Sequence, residues 1–247
     1  MPGPLQRGLL ATAVSALIAL CASVTPAAAS GNYPPHSGGW DISWPQCDAA
    51  YPPITHSTFG IVGINDGRPL TENPCFGSEL WWAMTNQAFS GIYLNVAYGT
   101  SLAGPYTCDP GDHTCQAYNY GWLSAQYAYV TALVDSGGLS ESAPNWWLDV
   151  EVDNNWSDNK VLNADVIQGA LDYFEQAQGI QAGVYSVSFM WRDIAGKFSP
   201  DGVPNWVAGG NDRNDFATCG RPIWPGGQVV MFQSVTEDGL FDLVRGC

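Results

Sequence analysis

The segment Trp146-Trp147-Leu148-Asp149-Val150-Glu151 holds the residues best suited to chemistry. Side chains alternate along a strand, so Trp147, Asp149 and Glu151 share one face and Trp146, Leu148 and Val150 the other. The second face is wholly apolar and calls for a covering helix. Two carboxylates two residues apart on a strand stand roughly 6.5–7 Å apart at the backbone. Like charges at that range push one pKa upward, more so beside an indole. A carboxyl group that keeps its proton near neutral pH can protonate a glycosidic oxygen. Two acids that merely cap a strand and face water are the bland alternative. Burying both beside an apolar run is unfavourable unless function or partners compensate, which favours the catalytic reading.

Two further acids sit in short apolar runs, Asp41 in Gly39-Trp40-Asp41-Ile42-Ser43 and Asp242 in Phe241-Asp242-Leu243. Alone, each reads as a surface or capping acid. In a closed barrel the first and last strands are neighbours, so both could face one cavity with Asp149 and Glu151. The run Asp149, Glu151, Asp153, Asn155 hints at a calcium loop, but Asn154 and Lys160 stand where the loop needs glycine and its closing glutamate. No G-x-S-x-G, H-E-x-x-H, phosphate-binding glycine loop or dinucleotide fingerprint is present. No cofactor or metal is expected.

The elements that must position these acids follow from periodicity. Strand-length apolar runs lie at Trp40–Ser43, Phe59–Asn65, Gly91–Ala97, Trp146–Glu151, Gln181–Ser186, Asn205–Gly209, Val229–Gln233 and, weakly, Leu240–Val244. Helical patterns fall between several of them, at Gly77–Phe89, Tyr118–Asp135 and Asn163–Gln178, the last with Asn163 as its expected N-cap. Strands alternating with helices indicate an α/β fold with a mainly parallel sheet, and about eight strands indicate closure into a barrel. Helices after the fifth to seventh strands are short or absent, so the expectation is a single-domain, irregular, abbreviated TIM-like β/α barrel over residues 40–247, preceded by a flexible lead-in at 30–39.

Residues 1–29 read as a secretory signal peptide. Arg7 is the only charge before Ser30, an apolar run spans Gly8 to Val24, and Ala27-Ala28-Ala29 offers a cleavage site. A membrane anchor is the alternative, but the run is short for a span. The expectation is a secreted, extracellular protein with no membrane association after cleavage. Loss of Arg7 takes the net charge from −15 to −16, which repels nucleic acid and anionic membranes. Six cysteines remain beyond the leader, an even number that suits disulfides in an exported chain. Cys108 and Cys115 bracket a glycine-containing loop and are paired first; Cys47 with Cys75 and Cys219 with Cys247 follow as sequence neighbours. A zinc site is the rival, but the spacings lack C-x-x-C.

In order along the chain, Asp41-Ile42-Ser43 with Gln46, Gly91-Ile92-Tyr93, Leu148-Asp149-Val150-Glu151, Gly183-Val184-Tyr185-Ser186, Trp206-Val207-Ala208, Phe232-Gln233 and Asp242 resemble the landmarks of family 25 glycoside hydrolases, the Chalaropsis-type lysozymes. The resemblance implies an irregular β/α barrel that cleaves between N-acetylmuramic acid and N-acetylglucosamine in peptidoglycan. It makes Glu151 the general acid and Asp149 the group that stabilises developing charge or steers the substrate's acetamido group. It places Asp41 and Asp242 along the subsite of cleavage and Gln233 in contact with substrate. Tyr93, Tyr185, Trp156 and Trp206 are candidates to stack on sugar and are equally suited to barrel core. The chain departs from the family after the second strand, where Gly63-Ile64-Asn65-Asp66-Gly67-Arg68-Pro69 replaces the usual Lys and Glu, and after Tyr93, where Leu94-Asn95 follows. The expected partner is a polysaccharide or peptidoglycan substrate, met by a monomer. The second reading is a noncatalytic glycan-binding or cell-surface protein on a decayed glycosidase barrel.

Overall fold

The computed structural model describes residues 33–53, 58–85, 90–209, 215–235 and 239–247; the expected signal segment lies outside them. Eight strands form one closed barrel in the order β1 (Gly38–Ile42), β2 (Phe59–Gly63), β3 (Gly91–Asn95), β4 (Asn145–Asp149), β5 (Gly183–Ser186), β6 (Pro204–Val207), β7 (Gln228–Val235) and β8 (Asp242–Gly246). Pairing is parallel from β1 to β7. β8 runs antiparallel to both β7 and β1 and closes the ring, setting Asp41 directly opposite Asp242. Every apolar run read from the sequence is a strand of this barrel.

Helices α1 (Phe76–Met84), α2 (His113–Asp135) and α3 (Lys160–Asp172) cover the outside, followed by the short α4 (Ser188–Ile194) after β5. Among the described residues between β6 and β7, the one helical element is a 3-10 turn, Phe216–Gly220. The abbreviation lies in the second half of the barrel. The N-cap of α3 is Asn159, whose side chain accepts from the Val161 amide, and not Asn163. Asn163 is fully buried in the helix; it donates to the Ser157 and Ile194 carbonyls and accepts from the Ser157 amide, tying the loop after β4 to the helix and to α4. A one-turn shift of the helix start turns the expected cap into a buried cross-brace.

Alternation along the strands divides two cores. Trp146, Leu148 and Val150 face outward into the layer beneath the helices, as the apolar face requires. Inside the barrel, Phe59, Ile61, Trp147, Trp206, Met231 and Val244 form a separate cluster with Tyr33. Gly39 and Gly183 make room for two of these rings: a Cβ at either would lie within 2.3 Å of Phe59 or 2.2 Å of Trp147, respectively. Of the expected loose lead-in, residues 33–39 are ordered structure: β1 begins at Gly38, and Tyr33 is buried against Phe59 and accepts from the Trp147 indole at 3.3 Å. Its ring seals the interior at the end where Gly91 starts β3.

All six cysteines among the described residues are in disulfides, Cys47–Cys75, Cys108–Cys115 and Cys219–Cys247. Each ties a loop to a nearby element, and none crosses the barrel.

Helices α2 and α3 meet at backbone distance. A Cβ on Gly121 would stand 1.9 Å from the Val166 carbonyl oxygen, and one on Gly169 would stand 2.1 Å from that of Tyr118. Alanine for glycine inside a helix ordinarily stabilises by about 0.5–1 kcal/mol. At Gly121 the sign reverses, because the atom in the way is backbone and cannot step aside. Gly121→Ala is expected to lower the urea midpoint by an amount equivalent to about 1–3 kcal/mol, read by denaturant unfolding.

Candidate active site

The site is built at the carboxyl ends of β1, β3, β4 and β5 and the adjoining start of the antiparallel β8, the end at which barrels of this kind carry their chemistry. Trp147 roots β4 in the inner core, and the alternation of the strand returns Asp149 to the same interior one step higher. Strand β4 ends at Asp149, so Glu151 stands in the loop just beyond it. Val150 remains fully buried in the outer layer and its amide donates to the Tyr185 carbonyl, which holds the chain extended for one more step. The Glu151 carbonyl accepts from the Trp156 indole at 2.7 Å. Asp149 is only 5 % exposed, and Glu151 is half-buried.

The four acids act on one another. Burial raises the Asp41 carboxyl well above the usual range, and Asp242, Asp149, Glu151 and Glu79 push it the same way. Burial, then Glu151, raises Asp149 well above the usual range. Burial, then Asp153 and Asp242, raises Glu151. Burial raises Asp242 too, opposed by a hydrogen bond from Gln233. Asp41 and Asp149 each keep one buried carboxylate oxygen, Oδ1, without a partner among the described residues. Such atoms are costly to leave bare inside a protein.

The residues expected to bind sugar divide into two groups. Tyr93 and Tyr185 are half-buried at the mouth and feel the same carboxylates, Asp41 and Asp149 for both, with Glu151 and Asp242 added for Tyr185. The Tyr93 hydroxyl also pairs with Ser43. Gln233 is 7 % exposed and joins Asp242, with its own Oε1 unpartnered among the described residues. Trp206, in contrast, is 1 % exposed and packed by Tyr93, Trp147 and Tyr185. It pairs in register with Tyr185 and is a core residue beneath the site rather than a stacking platform, because the three neighbouring rings cover it. Trp156 packs against the outer core and spends its indole N–H on the Glu151 carbonyl.

Three residues at the site escaped the reading of motifs and spacing. Asn95 pairs in register with Asp149 and donates its side-chain amide to Asp149 Oδ2. Asn65, just past β2, is 3 % exposed and makes two 3.1 Å hydrogen bonds with the Asn95 backbone. Glu79 on α1 is fully buried, accepts from Asn73 at 2.6 Å, and is raised by burial to about 7. Gln46 has a structural part as well: it accepts from the Ser43 amide and donates to the Leu240 carbonyl, tying the turn after β1 to the segment before β8.

The fold is that of lysozyme-type glycoside hydrolases. It is similar to a family GH25 lysozyme from Aspergillus fumigatus (TM-score 0.55, 15% identity, 85% of this chain and 93% of that one). It is similar as well to the bacterial lysozyme from Streptomyces coelicolor (TM-score 0.54, 13% identity, 85% and 92%). The modular autolysin LytC from Streptococcus pneumoniae, solved in complex with a synthetic peptidoglycan ligand, matches at TM-score 0.54 and 16% identity over 84% of this chain and 46% of that one. No protein-family model matches the sequence, and no curated protein is similar enough to count as a match.

A carboxyl group whose pKa is higher folded than unfolded makes the folded state bind more protons. Its stabilising effect is complete below the unfolded value and is lost as pH rises toward the folded one. Asp41 is therefore a burden at neutral pH. Asp41→Asn is expected to raise Tm at pH 7 by roughly 2–4 °C, the shift that ~1 kcal/mol produces in a chain of this size. The gain should shrink to nothing as pH falls below the ordinary value of 3.8, where the carboxyl is neutral folded and unfolded alike; thermal scans across that range read it directly.

Proposed function

We propose that the protein is a secreted glycoside hydrolase that cleaves a glycosidic bond of peptidoglycan or a related wall polysaccharide by carboxylate acid catalysis. The observation that carries this reading is the convergence of Asp41, Asp149, Glu151 and Asp242 at the mouth of the barrel, each holding its proton more tightly than a carboxyl in water. A structural cluster of acids would be neutralised by cations. Among the described residues, the charged groups that raise Asp41, Asp149 and Glu151 are carboxylates. The likeness to muramidases and to an autolysin solved with a peptidoglycan ligand supports the choice of substrate class.

In this reading Glu151 is the general acid. It stands just past the strand, half-buried at the mouth, and its burial together with two neighbouring acids favours its neutral form. Asp149 lies deeper, in the position to face positive charge as it develops on the sugar ring or to orient the substrate's acetamido group. Asp41 and Asp242, opposed across the β1–β8 seam, line the subsite where the bond breaks. Tyr93, Tyr185 and Gln233 complete its walls. The expected signal segment at 1–29 and the three disulfides support export.

The test is turnover of purified peptidoglycan and a panel of oligosaccharides by the protein and by Glu151→Gln. Release of reducing ends by the native protein, reduced on the order of 10²–10⁴-fold in the variant, is the expected result. Binding to glycan without turnover, equal in both proteins, would leave the noncatalytic reading in its place.

A further inference from the structure

Asp149 and Glu151 are chemically alike and adjacent, and a division of labour between them needs something that breaks the tie. The structure holds one asymmetry on each side. Asp149 receives an amide N–H from Asn95 on Oδ2 and leaves Oδ1 without a partner among the described residues. Glu151 has its main-chain carbonyl held by Trp156, while its carboxylate faces the charges of Asp153 and Asp242.

The Asn95 amide is itself fixed. Beyond the last β2–β3 backbone pair, Gly63 with Tyr93, the Asn65 side chain takes over the ladder: Nδ2 donates to the Asn95 carbonyl and Oδ1 accepts from the Asn95 amide, both at 3.1 Å. An asparagine side chain is a peptide group on a short stem, and here it extends the sheet by one rung. Asn65 and Asn95 are also where the sequence departs from the pattern it otherwise resembles.

We propose that Asn95 is a positioning residue for the acid pair: clamped by Asn65, it grips one oxygen of Asp149, turns the other toward the cavity, and keeps the negative charge on Asp149 and the proton on Glu151. This rests on the functional reading above for its catalytic consequence, though not for the assignment of charge. An N–H donor favours the ionised form of the carboxylate that accepts it. Burial of Asp149 opposes this, as do the groups that surround it: Glu151 on the same segment, Asp41 on β1, and the hydroxyls of Tyr93 on β3 and Tyr185 on β5. Asp242 on β8 and Glu79 on α1 add their charge through Asp41. Set among acids and phenols, the Asn95 amide is the neutral donor that opposes them.

The experiment compares the native protein with Asn95→Leu and Asn65→Ala by carboxyl-carbon NMR titration and by the pH profile of wall hydrolysis. In the native protein Asp149 is expected to ionise at lower pH than Glu151. In Asn95→Leu the Asp149 midpoint should move up, the acidic limb of kcat/KM should follow it to higher pH, and kcat should fall by about 10-fold or more as the reacting geometry loosens. Asn65→Ala, which leaves the amide in place but unclamped, should shift both readouts the same way by less, and it decides the matter if Asn95→Leu does not fold. Native-like Asp149 and Glu151 titrations in a folded variant would overturn the proposal. If the native protein turns over no glycan yet the Asp149 midpoint moves in the variants, the functional reading fails while the charge assignment stands. Turnover by the native protein with unmoved titrations in the variants would leave the functional reading standing and sink the charge assignment.

Discussion

The filled interior of the barrel is the constraint on which the site depends. Phe59, Ile61, Trp147, Trp206, Met231 and Val244, closed from below by Tyr33, form a buried apolar plug. Strand alternation then dictates what stands above it: the next inward side chain after Trp147 is Asp149, and after Gly39 it is Asp41. The plug thus does two things at once. It fixes the height at which the carboxylates sit, and it supplies the low-polarity base that raises their proton affinity. Trp206 belongs to this plug, which is why a residue on the correct strand and the correct face still lies out of reach of any ligand.

Much of this was legible in the sequence because burial leaves a periodic trace. All eight strands show as apolar runs, and the two faces of β4 separate cleanly into Trp146, Leu148, Val150 and Trp147, Asp149. The direction of β8 was harder, since periodicity carries no polarity of the chain. The signal was in the spacing: β7 ends at Val235 and β8 begins at Asp242, too short a link for the crossover that a parallel partner requires. The disulfides followed simple proximity along the chain. Asn163 misled because any asparagine before a helical pattern resembles a cap, and only tertiary contacts reveal that it braces two loops.

The residues that tune the site left less trace. Asn65 and Asn95 are neutral, and an asparagine at a strand end ordinarily marks a turn. Their meaning lies in a contact between two strands and in one side chain acting as a surrogate backbone, neither of which a single sequence displays. Glu79 looks like any acid in the first turn of a helix; its complete burial beside Asn73 comes from the packing of α1 on β2. The acids of the candidate site are visible by type and spacing, whereas the uncharged groups that hold them become visible only in three dimensions.

The β1–β8 seam has a consequence for how the molecule is assembled. It joins residues 38–41 to residues 242–245, the two ends of the described domain. Closing so long a loop is the slowest kind of pairing to search out, because the entropy of joining its ends must be met before any contact rewards it. Until that seam zips, Asp41 and Asp242 remain apart, each free to ionise in water as an ordinary acid. Their mutual repulsion therefore enters the energy of the chain only when that seam closes. The tension between these two acids is thus a property of the closed ring and has no counterpart in the open chain.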